Sequence, residues 1–508
     1  MHLILAPFPT QGHFAAFLSL ADRLHVARPS ALITLVSTPG NVSNLHAAAA
    51  AAKPFLRFHA LPFSPEEHGL PAGTQSADAV HAAFDAFLNG VRAGGAPVVV
   101  VADPFLAWTS AVARRHGARH AFFDSCSAYG SAVYHSLWNH LPHLLAPPDA
   151  GAFCLLDHTE VTVYRSQLPS HFLLAYVSPI RDTDTAILML MSGRPRGGGS
   201  RRQRQAGYRG RRLGGCVDGL LHHPATVGSS EEATRDNSGS EHPLDELEPA
   251  GLRMLRRALG VPVLPIGPLL CVPTRHVSHR DPDTDSDSII RWLDARDRSS
   301  VLYISFGSQN SLRPEQMMEL AAALEITCRP FVWAFRPPIT FDYDDSDKWL
   351  PEGFEERARA GDRGLLVRGW VPQLRILAHA STGAFLSHCG WNSVLESAAH
   401  SVPVIGWPLQ GDQFFNCKML EEEWGTCLEA ARGNMKGSLA VKRARLAEAV
   451  EAVLGGTEKG AEMRRRARGI QELIGRAQTT QDNGGSSAQT LEEEFFTLML
   501  RGAAAEEC

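Results

Sequence analysis

Long apolar runs are missing from this chain of 508 residues. Nothing approaches the roughly 20 consecutive apolar residues that a helix needs to cross a bilayer, so no transmembrane segment is expected. An excess of charge is missing too: the net charge is −5 and the pI near 6.5. Such a field repels phosphates, so nucleic acid is not an expected partner. The nine cysteines form no Cys-x-x-Cys pair and no Cys/His cluster. No structural zinc is therefore expected, and a reduced, cytoplasmic compartment fits best. No Gly-x-x-x-x-Gly-Lys-Ser/Thr loop is present, which removes an NTPase reading. Asp281 to Asp287 has the look of a calcium loop, but Ser286 and Trp292 stand where Gly and Glu are needed, so it reads as a solvated linker. Met1 to Phe8 is apolar without a basic leader and is interrupted by Pro7, which suggests a first buried strand and not a signal peptide. The last residues carry neither a tail anchor nor a prenylation box.

What is present is globular: 44% hydrophobic and 20% charged residues, enough chain for two domains. Short apolar runs alternate with helix-compatible stretches. In the first half the runs are Leu3–Ala6, Ala31–Val36, Phe55–Leu61, Val98–Ala102 and His120–Phe123. In the second they are Val301–Phe306, Phe331–Phe335, Leu365–Val367, Ala384–Leu386 and Val402–Trp407. This alternation predicts an α/β protein with two facing Rossmann-like domains, parallel sheets, and ligands at the carboxyl ends of the strands in a cleft between them. The expected division is 1–268, a polar linker 269–289, a second domain 290–484, and a closing helix with tail at 485–508. Within the first domain, 192–242 does not fit: eight arginines and no acid lie between Arg194 and Arg212. So long a stretch without periodicity is foreign to a compact domain. It reads as a disordered insertion or as mistranslated sequence, ahead of an RNA-binding tract.

The most informative stretch runs from Trp370 to Gln413. Strand Ala384–Leu386 leads into His388-Cys-Gly-Trp-Asn-Ser393, which opens the helical run Val394–Ala399. A Gly followed by Asn and Ser at a helix start leaves backbone N–H groups pointing outward, a ready diphosphate site. Ser308, after another strand, could add a donor. In the first half, His13 follows strand Leu3–Ala6 where the first helix should begin, and the positive helix end favours a neutral imidazole there. Asp103 ends strand Val98–Ala102. Both should sit at carboxyl ends of neighbouring strands, with the carboxylate orienting the ring and stabilising the charge it gains as a base. Taken singly, each of these residues is better read as a cap, a turn former or a core aromatic. For the residues between Trp370 and Gln413, joint spacing overturns those readings.

At Trp370-x-Pro372-Gln373, His388 to Ser393, Glu396, Trp407-Pro408 and Asp412-Gln413, the chain resembles the plant-type UDP-glycosyltransferases of family 1. The resemblance spans roughly residues 1–190 and 243–500. It implies the GT-B type of fold and a metal-independent, inverting transferase with UDP-glucose as co-substrate and no other cofactor. It also implies roles. Trp370 would stack on uracil with Gln373 beside it, and Glu396 would accept from ribose hydroxyls. His388, Asn392, Ser393 and the Gly390 backbone would hold the diphosphate, and Trp391, Asp412 and Gln413 would meet the sugar. A Gln at the last position goes with glucose. Pro9 to His13 and Ala102 to Phe105 look like the family's catalytic His and its Asp. One departure is Asp124, where the family has Thr or Ser: its carboxylate can accept from a sugar hydroxyl, yet repels a diphosphate. The implied partners are a UDP-sugar and a small apolar acceptor of flavonoid, phenolic, terpenoid or hormone type, handled by a monomer. Two other readings stay open. One is a relative that binds nucleotide sugar but is catalytically impaired by the disrupted middle segment. The other is a sugar-nucleotide epimerase, against which the signature box speaks.

Overall fold

The computed structural model describes residues 1–49, 53–62, 77–147, 149–169, 172, 246–270, 286–308, 310–338, 348–433, 438–478 and 494–500. The arginine-rich stretch 192–242 lies outside them. So do residues 271–285, the greater part of the linker, and residues 485–493 and 501–508 of the closing helix and tail.

Packing divides the described residues into two units, one of 1–125, 172 and 494–500, the other of 126–169 and 246–478. In the first unit, β1 (His2–Ala6), α1 (Gln11–Ala27), β2 (Leu32–Ser37), α2 (Pro39–Ala49), β3 (Leu56–Ala60), α3 (Ala77–Arg92), β4 (Val98–Ala102), α4 (Trp108–Arg115) and β5 (Arg119–Phe122) alternate along the chain. The five strands form one parallel sheet in the order β3-β2-β1-β4-β5. β1 and β4 run in register from His2 with Val98 to Ala6 with Ala102, which brings the residues just beyond both strands to one edge. Strand alternation explains the two-sided burial. Ile4, Val98, Val100 and Ala102 pack on Phe84, Leu88 and Val112, while Leu3 and Leu5 on the other face are equally buried.

The second unit begins with α5 (Ala128–His140), α6 (Pro142–Leu145) and the antiparallel hairpin of β6 (Ala152–Cys154) and β7 (Thr162–Tyr164). α7 (Pro249–Leu259) and α8 (Ser286–Asp294) follow. A second α/β series comes next: β8 (Val301–Ser305), α9 (Pro314–Thr327), β9 (Phe331–Phe335), α10 (Phe354–Ala360), β10 (Gly364–Arg368), α11 (Gln373–Leu377), β11 (Thr382–Ser387), α12 (Trp391–Ala399), β12 (Val404–Gly406), α13 (Gln413–Met419) and β13 (Cys427–Glu429). α14 (Arg443–Leu454) and α15 (Glu458–Gln478) complete the unit, and α16 (Phe496–Leu500) belongs to the first unit. The sheet is wholly parallel, in the order β10-β9-β8-β11-β12-β13. One face carries Leu302, Ile304, Trp333, Leu386 and Ile405 against α9 and α14; the other carries Tyr303, Val332, Val367 and Phe385 against α8 and α11.

The boundary drawn by packing differs from the one expected after residue 268. Residues 126–169 and 246–268 join the C-terminal unit, because α5 lies against both α7 and α13. Gly251 lets the backbones touch: a Cβ there would come within 2.3 Å of the Tyr129 nitrogen. Tyr129 N donates to Glu248 Oε1 (3.3 Å), Trp424 Nε1 to the Leu247 carbonyl (2.8 Å), and Ser127 Oγ to Asn416 Oδ1 (2.6 Å). Composition marks where a chain is solvated, not which core a helix joins, so the polar linker hid this exchange.

Candidate active site

In the first unit, four residues separate the end of β1 from the start of α1, and His13 falls in the first turn of that helix. Asp103 follows β4 directly and is wholly buried. It caps the short turn Pro104–Leu106 by accepting from the Phe105 N–H (3.0 Å), which holds one carboxylate oxygen. The other, Oδ2, stands 2.5 Å from His13 Nδ1. An ionised carboxylate can only accept, so Nδ1 carries the proton and the ring's lone pair is on Nε2. Ser125 Oγ, just beyond β5, lies 3.1 Å from the same Nδ1, and the rings of Phe8 and Phe105 flank the imidazole at 5.5 and 6.0 Å. The imidazole is 20% exposed, enough to be reached. Asp124 is exposed beside Ser125.

In the second unit the box residues gather at the carboxyl ends of β8, β10, β11 and β12. Trp370 follows β10 with an indole that is 49% exposed, unusual for so large an apolar ring. Gln373 opens α11 and is held at both ends. Its Oε1 accepts from Tyr303 OH (2.9 Å), and its Nε2 donates to Glu396 Oε2 (2.6 Å) and Ser393 Oγ (3.2 Å). Burial raises the Glu396 carboxyl to about 7, the bond from Gln373 working against it. After β11, His388 packs edge-on against two glycines, and Gly390 precedes α12, whose first residues are Trp391, Asn392 and Ser393. No side chain caps that helix. Ser308 sits in the turn after β8, its carbonyl bonded by Arg336. Asp412 precedes α13 and accepts from Asn416 Nδ2 (2.7 Å), which also donates to the Cys389 carbonyl (3.0 Å). Gln413 is buried, its Oε1 accepting from the N–H groups of Leu409 and Gln410, both at 3.1 Å. Only its amide N–H₂ remains for a ligand.

The family described as UDP-glucoronosyl and UDP-glucosyl transferase matches residues 262–464. UDP-glycosyltransferase 92A1 of Arabidopsis thaliana is 32% identical over 99% of this chain and 98% of its own. The chain belongs to that family. It is a UDP-dependent glycosyltransferase. A second relative, crocetin glucosyltransferase 3 of Crocus sativus, is 33% identical to the transferase over 88% of this chain and 90% of its own. The crystal structure of a Medicago truncatula transferase complexed with UDP-glucose matches with a TM-score of 0.71 at 21% identity, covering 98% of both chains, a likeness of fold of the GT-B type.

Several features of the transferase were not visible in the sequence. Tyr303 and Asn416 brace box residues from strand and helix positions that read as ordinary core. Ser125 reaches His13 across 112 residues of sequence. Cys389, Cys417 and Cys427, in no spacing pattern along the sequence, come together, all buried. Burial pulls the His388 imidazole down to about 4, so at neutral pH it is uncharged. Any help it gives is through a hydrogen bond. Its ring explains a glycine outside the box. Gly307 has φ +76, and a Cβ there would lie 2.6 Å from His388 Nε2. Gly307→Ala combines left-handed strain with a collision against a buried ring. It is expected to lower stability by about 2 kcal/mol and to weaken UDP binding. Urea unfolding and calorimetric titration with UDP check both, and unchanged stability would disprove the close approach.

Proposed function

We propose that this transferase moves glucose from UDP-glucose onto a hydroxyl of a small, largely apolar acceptor, with inversion at the anomeric carbon. The observation that carries the reading is the His13–Asp103 pair. With Nδ1 committed to the carboxylate, Nε2 is the base that takes the acceptor proton. The acceptor oxygen bonds to the anomeric carbon as that carbon's bond to the diphosphate oxygen breaks, and UDP departs. Asp103 stabilises the imidazolium formed. The N–H groups opening α12, with Asn392, Ser393 and the Gly390 backbone, receive charge growing on the diphosphate, helped by Ser308 and the neutral His388, without need of a metal. Trp370 stacks on uracil beside Gln373, and Glu396 accepts from the ribose hydroxyls. Trp391, Asp412 and Gln413 meet the sugar. The relatives' names support glucose, and the Gln413 amide, reduced to a donor, suits a sugar hydroxyl that accepts. A cytoplasmic monomer is part of the same reading. Among the described residues no helix is long and apolar enough to cross a membrane.

The test is a panel of phenolic, flavonoid and terpenoid alcohols with UDP-glucose, read by mass. A hexose added to at least one acceptor, with UDP released, is expected. UDP release without any glycosylated product would point to hydrolysis, and binding without turnover to an impaired relative. Trp370→Ala is expected to weaken UDP about 10-fold, from the loss of one base stack. An unchanged Kd would move the nucleotide elsewhere.

A further inference from the structure

Three cysteines far apart in sequence meet in the second unit. Cys389 lies in the loop after β11, Cys417 in α13 and Cys427 at the start of β13, and all three are wholly buried. Their sulfurs lie within 4.8 Å of one another, with Cys417 and Cys427 Sγ at 3.8 Å. Four ligands around a zinc ion with Zn–S bonds of about 2.3 Å hold neighbouring sulfurs about 3.8 Å apart. Gly406 of β12 closes the group from one side. A Cβ there would lie 2.4, 3.0 and 3.4 Å from the sulfurs of Cys417, Cys427 and Cys389, so any larger residue would fill the space they share. Beside them Glu429 Oε2 is 3.9 Å from Cys417 Sγ, and Arg432 pairs with that carboxylate at 2.6 and 2.8 Å.

An apolar core has no use for three thiols gathered around a glycine; a thiol is a weak donor, and the contacts these make are long, such as 3.6 Å from Cys389 Sγ to the Ser387 carbonyl. We propose that Cys389, Cys417 and Cys427 form a binding site for a thiophilic d¹⁰ cation, Zn²⁺ or its substitute Cd²⁺, with Glu429 as an oxygen donor at the fourth position. Binding exchanges three thiol protons for one divalent ion, and the three protons leave to solvent. The Arg432 guanidinium offsets part of the negative charge of the filled site. Because binding releases protons, it strengthens as pH rises. Once bound, it ties the loop between His388 and Gly390 to α13 and β13. The ion would thus stiffen the donor-binding loop without touching substrate.

The experiment uses the full chain produced in zinc-supplemented cells and freed of loose metal by gel filtration. One equivalent of zinc is expected, replaceable by Cd²⁺ with a thiolate-to-metal charge-transfer band and a raised Tm. Cys417→Ser and Cys427→Ser should each weaken the metal more than ~10-fold, a lost ligand costing at least as much as a lost outer-sphere partner. Cys154→Ser and Cys328→Ser, at exposed positions, should leave it unchanged. Retained UDP binding shows that a variant is folded. If the serine variants fail to fold, alkylation of the wild-type chain in mild denaturant decides: the metal should protect these three thiols but not Cys154 or Cys328. Zinc well below one equivalent, a band that survives in Cys427→Ser, or equal alkylation with and without metal overturns the proposal.

Discussion

His13→Ala is expected to lower kcat roughly 10³- to 10⁴-fold while leaving UDP affinity within a factor of about two. The asymmetry follows from where the residue sits. Asp103, Ser125 and the rings of Phe8 and Phe105, which contact it, are in the first unit, whereas the residues proposed to hold UDP belong to the second. Asp103→Asn is the more searching variant. It keeps the shape and the bond to the Phe105 N–H. It replaces the accepting oxygen by an amide that can present N–H to Nδ1, which moves the ring proton to Nε2 and takes away the base. A loss of about 10³-fold is expected, partly regained at high pH with acceptors that ionise on their own, such as phenols. Steady-state rates across pH, with UDP titration alongside, measure both. A His13→Ala enzyme with wild-type kcat would end the mechanism, in which His13 is the base.

Glu396→Gln is expected to make the ligand-free protein more stable by on the order of 3 kcal/mol at about pH 8 and to change nothing near pH 4. A free glutamate ionises near 4.5, whereas burial raises Glu396 to about 7. Between those values the unfolded chain has given up its proton and the folded one has not, so stability drains away as pH rises through the window. Above about 7 the full cost is present. Glutamine carries no charge to bury and can still accept from Gln373 Nε2. The same substitution should weaken UDP about 10-fold at about pH 8, because a carboxylate accepts more strongly from ribose hydroxyls than an amide does. In the wild-type protein UDP affinity should accordingly climb as pH passes from about 6 to about 8. Thermal unfolding and calorimetry across pH measure the two opposed trends. A Gln variant less stable than wild type at every pH would show that the carboxylate is stabilised by its surroundings.

Both sheets were legible because parallel strands buried on two faces leave runs such as Val98–Ala102 and Phe331–Phe335, and the structure keeps their limits. β13 was not: three residues, Cys427–Glu429, are too few to carry a pattern. Val402 to Trp407 shrank to Val404–Gly406 because the apolar run continues past the last ladder bond. Of the residues proposed for the site, His13 and Asp103 read singly as a cap and a turn former and gained a role only from the family resemblance, whereas the Trp370–Gln413 box stood out through its spacing. What stayed hidden depends on contacts across the fold. Tyr303 is an unremarkable strand aromatic until Gln373 is placed over it, and the three cysteines are joined only by the register of β12 and β13 with α13.

The seating of α5 beside α7 and α13 bears on how the chain can be cut. A fragment begun at the polar linker, the natural choice from composition, would carry the whole donor box but lack both helices. Asn416 would lose the hydroxyl of Ser127, Trp424 the carbonyl of Leu247, and Phe415 the ring of Tyr134 that stands 5.6 Å away. Such a fragment would be sticky and short of a wall. A workable minimal donor-binding piece has to be spliced from two separate stretches of the gene, and a circular permutant is a more natural route to it than a truncation.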